Sequence, residues 1–328
     1  MADPTFAPGG PPPTNPPAPA SSSLAIAAAT SASSSTRPIS SAPSPPITTP
    51  APSPPITAAS RLRARLDAHA STRAAALIRI GLPPLLWACL AEPWNLRRAA
   101  GPLEVAEVVL FYAATLAMMA GLATRLATAL VAAVLLHLHL SAATGGHLRF
   151  FAHHHQALLT YVTCLMVLVP AGRSLSLDRW LAARRGPPPP ERGPLWPQRL
   201  LALQVSAVYL WSAVDKLAPD YLRGARLERT FMEIYVGSDF FPSPALHALL
   251  VAASLLVLLL ELALAVGLWS PRARRWLIPL GIALHAAFFL ALPLCVFSAL
   301  MVLLYLAFLD PAAVHRAIDR LLAPAEAS

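Results

Sequence analysis

The chain has 328 residues, of which 56% are hydrophobic and only 12% charged, and its mean hydropathy is +0.57. A soluble domain of this length carries far more charge, so the composition specifies a polytopic membrane protein. The formal charge of +9 comes from arginines scattered between apolar runs; with no single basic face to follow a phosphate backbone, it argues against nucleic-acid binding.

Residues 1–60 are Pro, Ala, Ser and Thr, with Asp3 and Arg37 as the only charges and APSPPIT present twice. Too little apolar surface is available there to offset ordering entropy, which predicts a disordered cytoplasmic tail. The short run 24–29 is no signal-peptide core, so no cleaved leader is expected. Richness in Ala, Arg and Pro fits a GC-rich, bacterial coding sequence. Cys89, Cys164 and Cys295 sit in apolar stretches without CxxC or metal spacing and read as buried small hydrophobes.

From Arg61 onward, apolar runs separated by Arg, Pro and Gly predict an all-α membrane bundle of about eight transmembrane helices, with a membrane domain over 61–311 and a short cytoplasmic segment over 312–328. The runs are 74–91, 105–122, 124–143, 152–170, 199–218, 245–269, 276–292 and 294–309. The first carries Arg79 and Pro83-Pro84, so a kinked or interfacial helix is its alternative. The last two, parted by Pro293, have one long kinked element as theirs. With eight spans, sixteen basic residues fall on the N-terminal side of the membrane and seven on the other. Both termini are then cytoplasmic, in a bacterial inner membrane, and the end of the fifth span faces outward.

That fifth span, WPQRLLALQVSAVYLWSAVDKL over 196–217, runs straight into an Asp-Lys pair, and Lys216 is the only lysine in the chain. A charged side chain at membrane depth is costly, and of the two basic residue types only lysine sheds its proton under desolvation. Snorkelling at a helix end is the plain alternative. Tyr209, Ser212 and Lys216 are spaced i, i+3, i+7 and share one face; Gln204, Trp211 and Asp215 form an adjacent stripe. Asp215 either pairs with Lys216 or points to water while Lys216 faces the bundle. Elsewhere, Glu261 and His285 stand mid-span as intramembrane ionisable residues, with a structural Glu–His or Glu–Arg pair as the alternative and Arg79 as a candidate partner for Glu261. His153, His154 and His155 head the fourth span with His147 upstream, but consecutive histidines cannot all face one ligand and the di-iron repeats are missing, so no metal is expected. His137 and His139 read as packing residues without a nearby carboxylate. No nucleotide loop, HExxH or GxSxG occurs, which argues against ATP-driven chemistry and the common hydrolase triads.

Gln204, then YLWSAVDKL, DYLRG, Glu261, the WSPRARR turn and His285 together resemble the HTTM domain, the horizontally transferred transmembrane domain shared with vitamin K-dependent gamma-carboxylase. The resemblance covers about 73–311 and is strongest over 204–224. It implies a membrane enzyme in which Lys216, in VDKL where the carboxylase has VKKL, is the base that deprotonates a quinol. HQALL places His155, and the later span His285, at the family's histidine positions. The implied cofactor is a reduced quinone, vitamin K hydroquinone or menaquinol, with O2 and CO2 if the chemistry is carboxylase-like; Tyr209, Ser212, Trp211, Gln204 and Glu261 would line its site. Two departures stand out. Asp215 replaces the first lysine of the pair, and the large non-membrane domain of the carboxylase has no counterpart before Ser328, so a separate soluble substrate-binding partner is expected beside the bilayer and the quinol. The rival expectation is a non-catalytic membrane-binding or proton-coupled transport protein.

Overall fold

Six helices of this chain begin with a proline in the first turn, where its missing N–H breaks no intrahelical bond. The computed structural model describes residues 57, 68–99, 101–144, 153–237, 243–292 and 294–323, all within one unit spanning 55–328. The expected tail, apart from Thr57, lies outside the described residues, as do His147 and Pro293.

Among the described residues twelve α-helices follow one another: α1 (Arg73–Leu90), α2 (Pro102–Ala120), α3 (Thr124–Ala143), α4 (His154–Met166), α5 (Leu177–Ala183), α6 (Trp196–Asp215), α7 (Pro219–Leu222), α8 (Ala225–Tyr235), α9 (Pro244–Gly267), α10 (Pro271–Ala291), α11 (Cys295–Leu304) and α12 (Pro311–Leu322). The only strands among the described residues, β1 (His69–Ser71) and β2 (Arg192–Pro194), pair antiparallel with Ala70 opposite Gly193. A helical polytopic bundle is thus what the hydropathy pattern specified. Five of its helices, α1, α2, α3, α9 and α10, are long and apolar enough to cross a membrane; a sixth span arises if α11, with the 3-10 turn after it, and α12, bent by 104°, count as one broken element. The other expected spans miss the criterion for physical reasons. The α4 helix has only 13 residues, α11 has 10, and α6 spends its length on Gln, Ser, Tyr and Asp side chains, several of which face protein.

The first helix is a continuous buried element, neither interfacial nor broken at Pro83-Pro84. Ile78, Leu82, Leu86 and Leu90, at i, i+4 spacing, are fully buried and join Phe111, Leu135, Val162 and Leu300 in the main core. Leucines on the outer helices point the other way: Leu103, Leu126, Leu256, Leu259 and Leu290 are exposed, as lipid-facing side chains are. Where the sequence placed two apolar runs around Pro293, α10 and α11 are separate helices. Cys295 starts α11 exposed, while Cys89 and Cys164 are half-buried.

One end of the bundle is closed by charge. Arg73 bonds Glu191 at 2.6 Å, Asp319 at 2.5 Å and the His315 carbonyl at 3.0 Å, and Arg179 reaches Glu191 at 2.9 Å. These pairs tie the start of α1 to the chain before α6 and to α12. Because Leu195 N also donates to Ala68 O at 2.9 Å, α1 and α6 start at this same end and finish together at the opposite one.

Close approach of α10 to the chain after α11 depends on Gly281, where an added Cβ would collide with the Tyr305 hydroxyl. Gly281→Ala is expected to lower stability by about 1–3 kcal/mol through overpacking, read as a lower thermal midpoint in detergent; an unchanged midpoint would show that Tyr305 has room to move.

Candidate functional site

Lys216 caps the end of α6, and its side chain turns back into the bundle rather than out to water. Its Nζ donates to Ser212 Oγ at 2.5 Å, one helical turn earlier, and to Glu261 Oε1 at 3.1 Å, and lies 3.0 Å from Glu261 Oε2. Ser212 Oγ in turn donates to Glu261 Oε1 at 3.1 Å. Glu261 is buried on α9 among leucines, so its carboxylate depends on these partners for the solvation it has lost. The packing of α6 against α9 brings the three together. Below them the Tyr221 ring of α7 sits 5.6 Å from the lysine nitrogen, within cation–π range.

One turn earlier on the same face, Tyr209 is buried and its hydroxyl bonds His285 Nε2 at 2.7 Å and also the hydroxyl of Tyr305. His285 is itself buried, edge-on to Phe288 and Phe297 with ring centroids 5.9 and 5.8 Å away. Its Nδ1 has no hydrogen-bond partner among the described residues, and neither has the buried Ser254 hydroxyl, two turns before Glu261 on α9. Two polar groups, a Lys–Ser–Glu cluster and a Tyr–His–Tyr chain, therefore lie in succession along α6 inside an apolar bundle.

The structure separates the expected stripes. Tyr209, Ser212, Lys216, Glu261 and His285 belong to the two clusters. Trp211 does not: it is 76% exposed and faces outward from the bundle. Gln204 is half-buried, more than three turns from the lysine, and bonds to neither cluster. Asp215 points away, its carboxylate 2.6 Å from Arg226, which also bonds Asp220 at 3.2 Å and holds that carboxyl below its ordinary range. Of the two arrangements open to Asp215, the one facing water is adopted.

His155 stands at the start of α4, stacked on His153 at 5.7 Å. Its neighbour Gln156 lies near Cys89, close to the end of α1, so His155 lies at the Lys216 end of the bundle, yet it makes no bond to either cluster. Arg79 is not the partner of Glu261. Its guanidinium is fully buried and donates to Leu175 O at 2.5 Å, beside Asp178 at the opposite end. Nor does His285 pair with Glu261; it pairs with Tyr209. His137 does have a carboxylate nearby, Glu107 on α2 at 3.4 Å.

Sequence reasoning missed Tyr305 and Tyr221. Tyrosine in an apolar helix reads as packing, and nothing in spacing alone brings residues 209 and 305 together. The DYLRG segment after the lysine was the available signal for Tyr221.

A family model, that of the HTTM domain, matches residues 100–312, and the chain belongs to the HTTM family. No curated protein and no solved structure matches it.

Breaking the buried pair from one side should cost more than removing it. Glu261→Gln leaves an uncompensated ammonium and is expected to lose on the order of 3 kcal/mol, whereas Glu261→Gln combined with Lys216→Met should recover much of that loss. Thermal unfolding of the three proteins in detergent decides it, and strictly additive effects would mean that the two residues are not coupled.

Proposed function

We propose that this HTTM-family membrane protein is an enzyme that uses a reduced quinone, with Lys216 as the general base. One observation carries this reading: the only lysine of the chain is turned inward at the end of a membrane helix, onto a buried carboxylate that can exchange protons with it.

An ammonium cannot act as a base until it loses its proton. Glu261, at 3.0 and 3.1 Å, is the acceptor in reach, and in a dry site proton transfer within the pair replaces two charges with two neutral groups. The free amine then takes a proton from an acidic hydroxyl of the substrate; the regained ammonium is compensated by the substrate oxyanion, and the first proton stays on Glu261. Ser212 holds both partners in register for that exchange. General-base assistance of this type is worth about 10²–10⁴-fold in rate.

The surroundings fit a quinol head group. His285 Nδ1 and Ser254 Oγ are buried and unpartnered, and Phe288 and Phe297 supply an apolar aromatic wall. Tyr209, His285 and Tyr305 would orient the ring through the one hydrogen-bonding position their chain leaves open. A reduced quinone held by these residues would supply the two electrons that reduce O2 and, through that oxidation, a base for carbon-acid chemistry, with CO2 as co-substrate in the carboxylase-like form. His155 at the same end is proposed as a further contact to the quinol, and a separate soluble protein as the source of the carbon acid.

Orientation follows from the arginines. They concentrate at the end of the bundle where α1 and α6 begin, which supports cytoplasmic termini in an inner membrane and an outward-facing site. The alternative, a non-catalytic or transport role, is favoured by the Lys216–Glu261 ion pair, in which each charge offsets the other without any ligand.

Lys216→Arg keeps the positive charge against Glu261 and is expected to fold, but arginine does not yield its proton. Quinol-dependent oxygen uptake in nanodiscs, tried with reduced menaquinone and vitamin K hydroquinone, should be present in the wild type and fall at least about 100-fold in this variant. Uptake unchanged by the substitution would sink the base assignment; no uptake by folded wild type with either quinol would favour the non-catalytic role.

A further inference from the structure

At the end of the bundle away from Lys216 lies a cavity of about 360 Å³ that the proposed chemistry does not use. Its polar wall is the first turn of α3, with Thr124, Arg125 and Thr128, and the segment after α4, with Arg173; its apolar wall is Met166 and Val169. Volumes of this order hold small ligands.

The arginines there are uncommitted. Arg125 is exposed and makes no hydrogen bond or ion pair among the described residues. Arg173 donates to the carbonyl of Arg192 at 2.5 Å and pairs with no carboxylate. The one acid in the wall, Asp178, is already spent: it accepts from Ala123 N at 2.7 Å, Thr124 N at 2.8 Å and Thr124 Oγ1 at 2.7 Å. Against its single negative charge stand two guanidiniums in the same wall, Arg125 and Arg173. The cavity therefore presents net positive charge with free guanidinium donors, the chemistry that recognises phosphate oxygens.

Its position favours a lipid as the source of that phosphate. Leu122, Leu126 and Leu168, beside the polar wall, are exposed apolar side chains. Trp180 on α5, half exposed, carries the Arg184 guanidinium 3.7 Å above its ring, and tryptophan and arginine of this kind belong at the level of the head groups. An apolar flank and a cationic wall thus meet at the membrane boundary.

We propose that this cavity binds the phosphoryl head group of an anionic phospholipid, with Arg125 and Arg173 on the phosphate oxygens and the acyl chains along Leu126 and Leu168. The site is independent of the quinol reading and stands if that reading fails.

The test is native mass spectrometry of the full chain released from detergent, titrated with phosphatidylglycerol, phosphatidylcholine and soluble glycerol phosphate. Wild type is expected to retain phosphatidylglycerol in preference to the other two. Arg125→Gln together with Arg173→Gln should weaken that retention about tenfold, as expected for lost charge-assisted hydrogen bonds. Arg125→Gln alone, which breaks no recorded bond, should show a partial loss and decides the matter if the double variant does not fold. Equal retention of both lipids, or anionic-lipid retention unchanged in the variants, overturns the proposal. Glycerol phosphate bound as tightly as the lipid overturns the lipid assignment in favour of a free phosphate ester.

Discussion

Opposite charges held 3.0 Å apart between α6 and α9 set the terms for this bundle. A carboxylate buried among the leucines of α9 is tolerable only with a cation and a hydrogen-bond donor supplied from outside its own helix, because the lost hydration is worth several kcal/mol per ion. Lys216 and Ser212 provide both from one face of α6. That requirement fixes the rotation and the register of α6 against α9. Once these are fixed, Tyr209 one turn back meets His285 and Tyr305, and the close pass of Gly281 by Tyr305 becomes a necessity of the packing. The polar interior is thus a consequence of one pair, extended along one helix face.

The two ends of the bundle handle charge differently. At the end where α1 and α6 begin, arginines work as permanent cations: Arg73 clamps Glu191 and Asp319, and Arg79 is buried against the Leu175 carbonyl. Guanidinium suits this task because its donors are numerous, planar and always charged. At the far end the inward-facing cation is an ammonium. Its donors are held by Ser212 and Glu261, and, unlike a guanidinium, it can lose its proton. The division of labour between twenty-four arginines and a single lysine then follows the chemistry each group can perform.

How much of this was legible beforehand depends on the range of the interaction. Helix starts could be read locally, since proline and its neighbours decide them within one turn. The inward face of α6 was legible because Tyr209, Ser212 and Lys216 follow the helical period. Pairings across helices were not: Arg79 and Glu261 looked like partners by charge, yet helix direction places them at opposite ends. Trp211 and Gln204 shared a stripe by spacing but not an environment, because an indole tolerates lipid and a half-buried amide is satisfied at little cost. Eight apolar runs led to an expectation of about eight spans, of which five or six are long and apolar enough by themselves, because α4 and α11 are short and α6 carries polar residues. Hydropathy measures fitness for lipid, and α6, whose polar groups face protein, has no need of it.

This last point bears on where function resides. A helix face packed against other helices is released from the demand that its side chains be apolar, so it can carry groups that would be expelled from a lipid-facing one. In this bundle α2, α3, α9 and α10 present exposed leucine to the bilayer, while α6 carries a Tyr, a Ser and a Lys in sequence on one inward face. Glu261 obeys the same logic: it sits on the inner face of a span that is otherwise the most apolar of those that meet the membrane criterion. A proton-exchanging pair is then most readily built where the protein-facing sides of two helices meet. Leu203, Leu210 and Trp211 on the outer face of α6 and Leu256 and Leu259 on that of α9 are exposed like lipid-facing side chains, and the only buried Lys–Glu pair among the described residues lies between the inner faces.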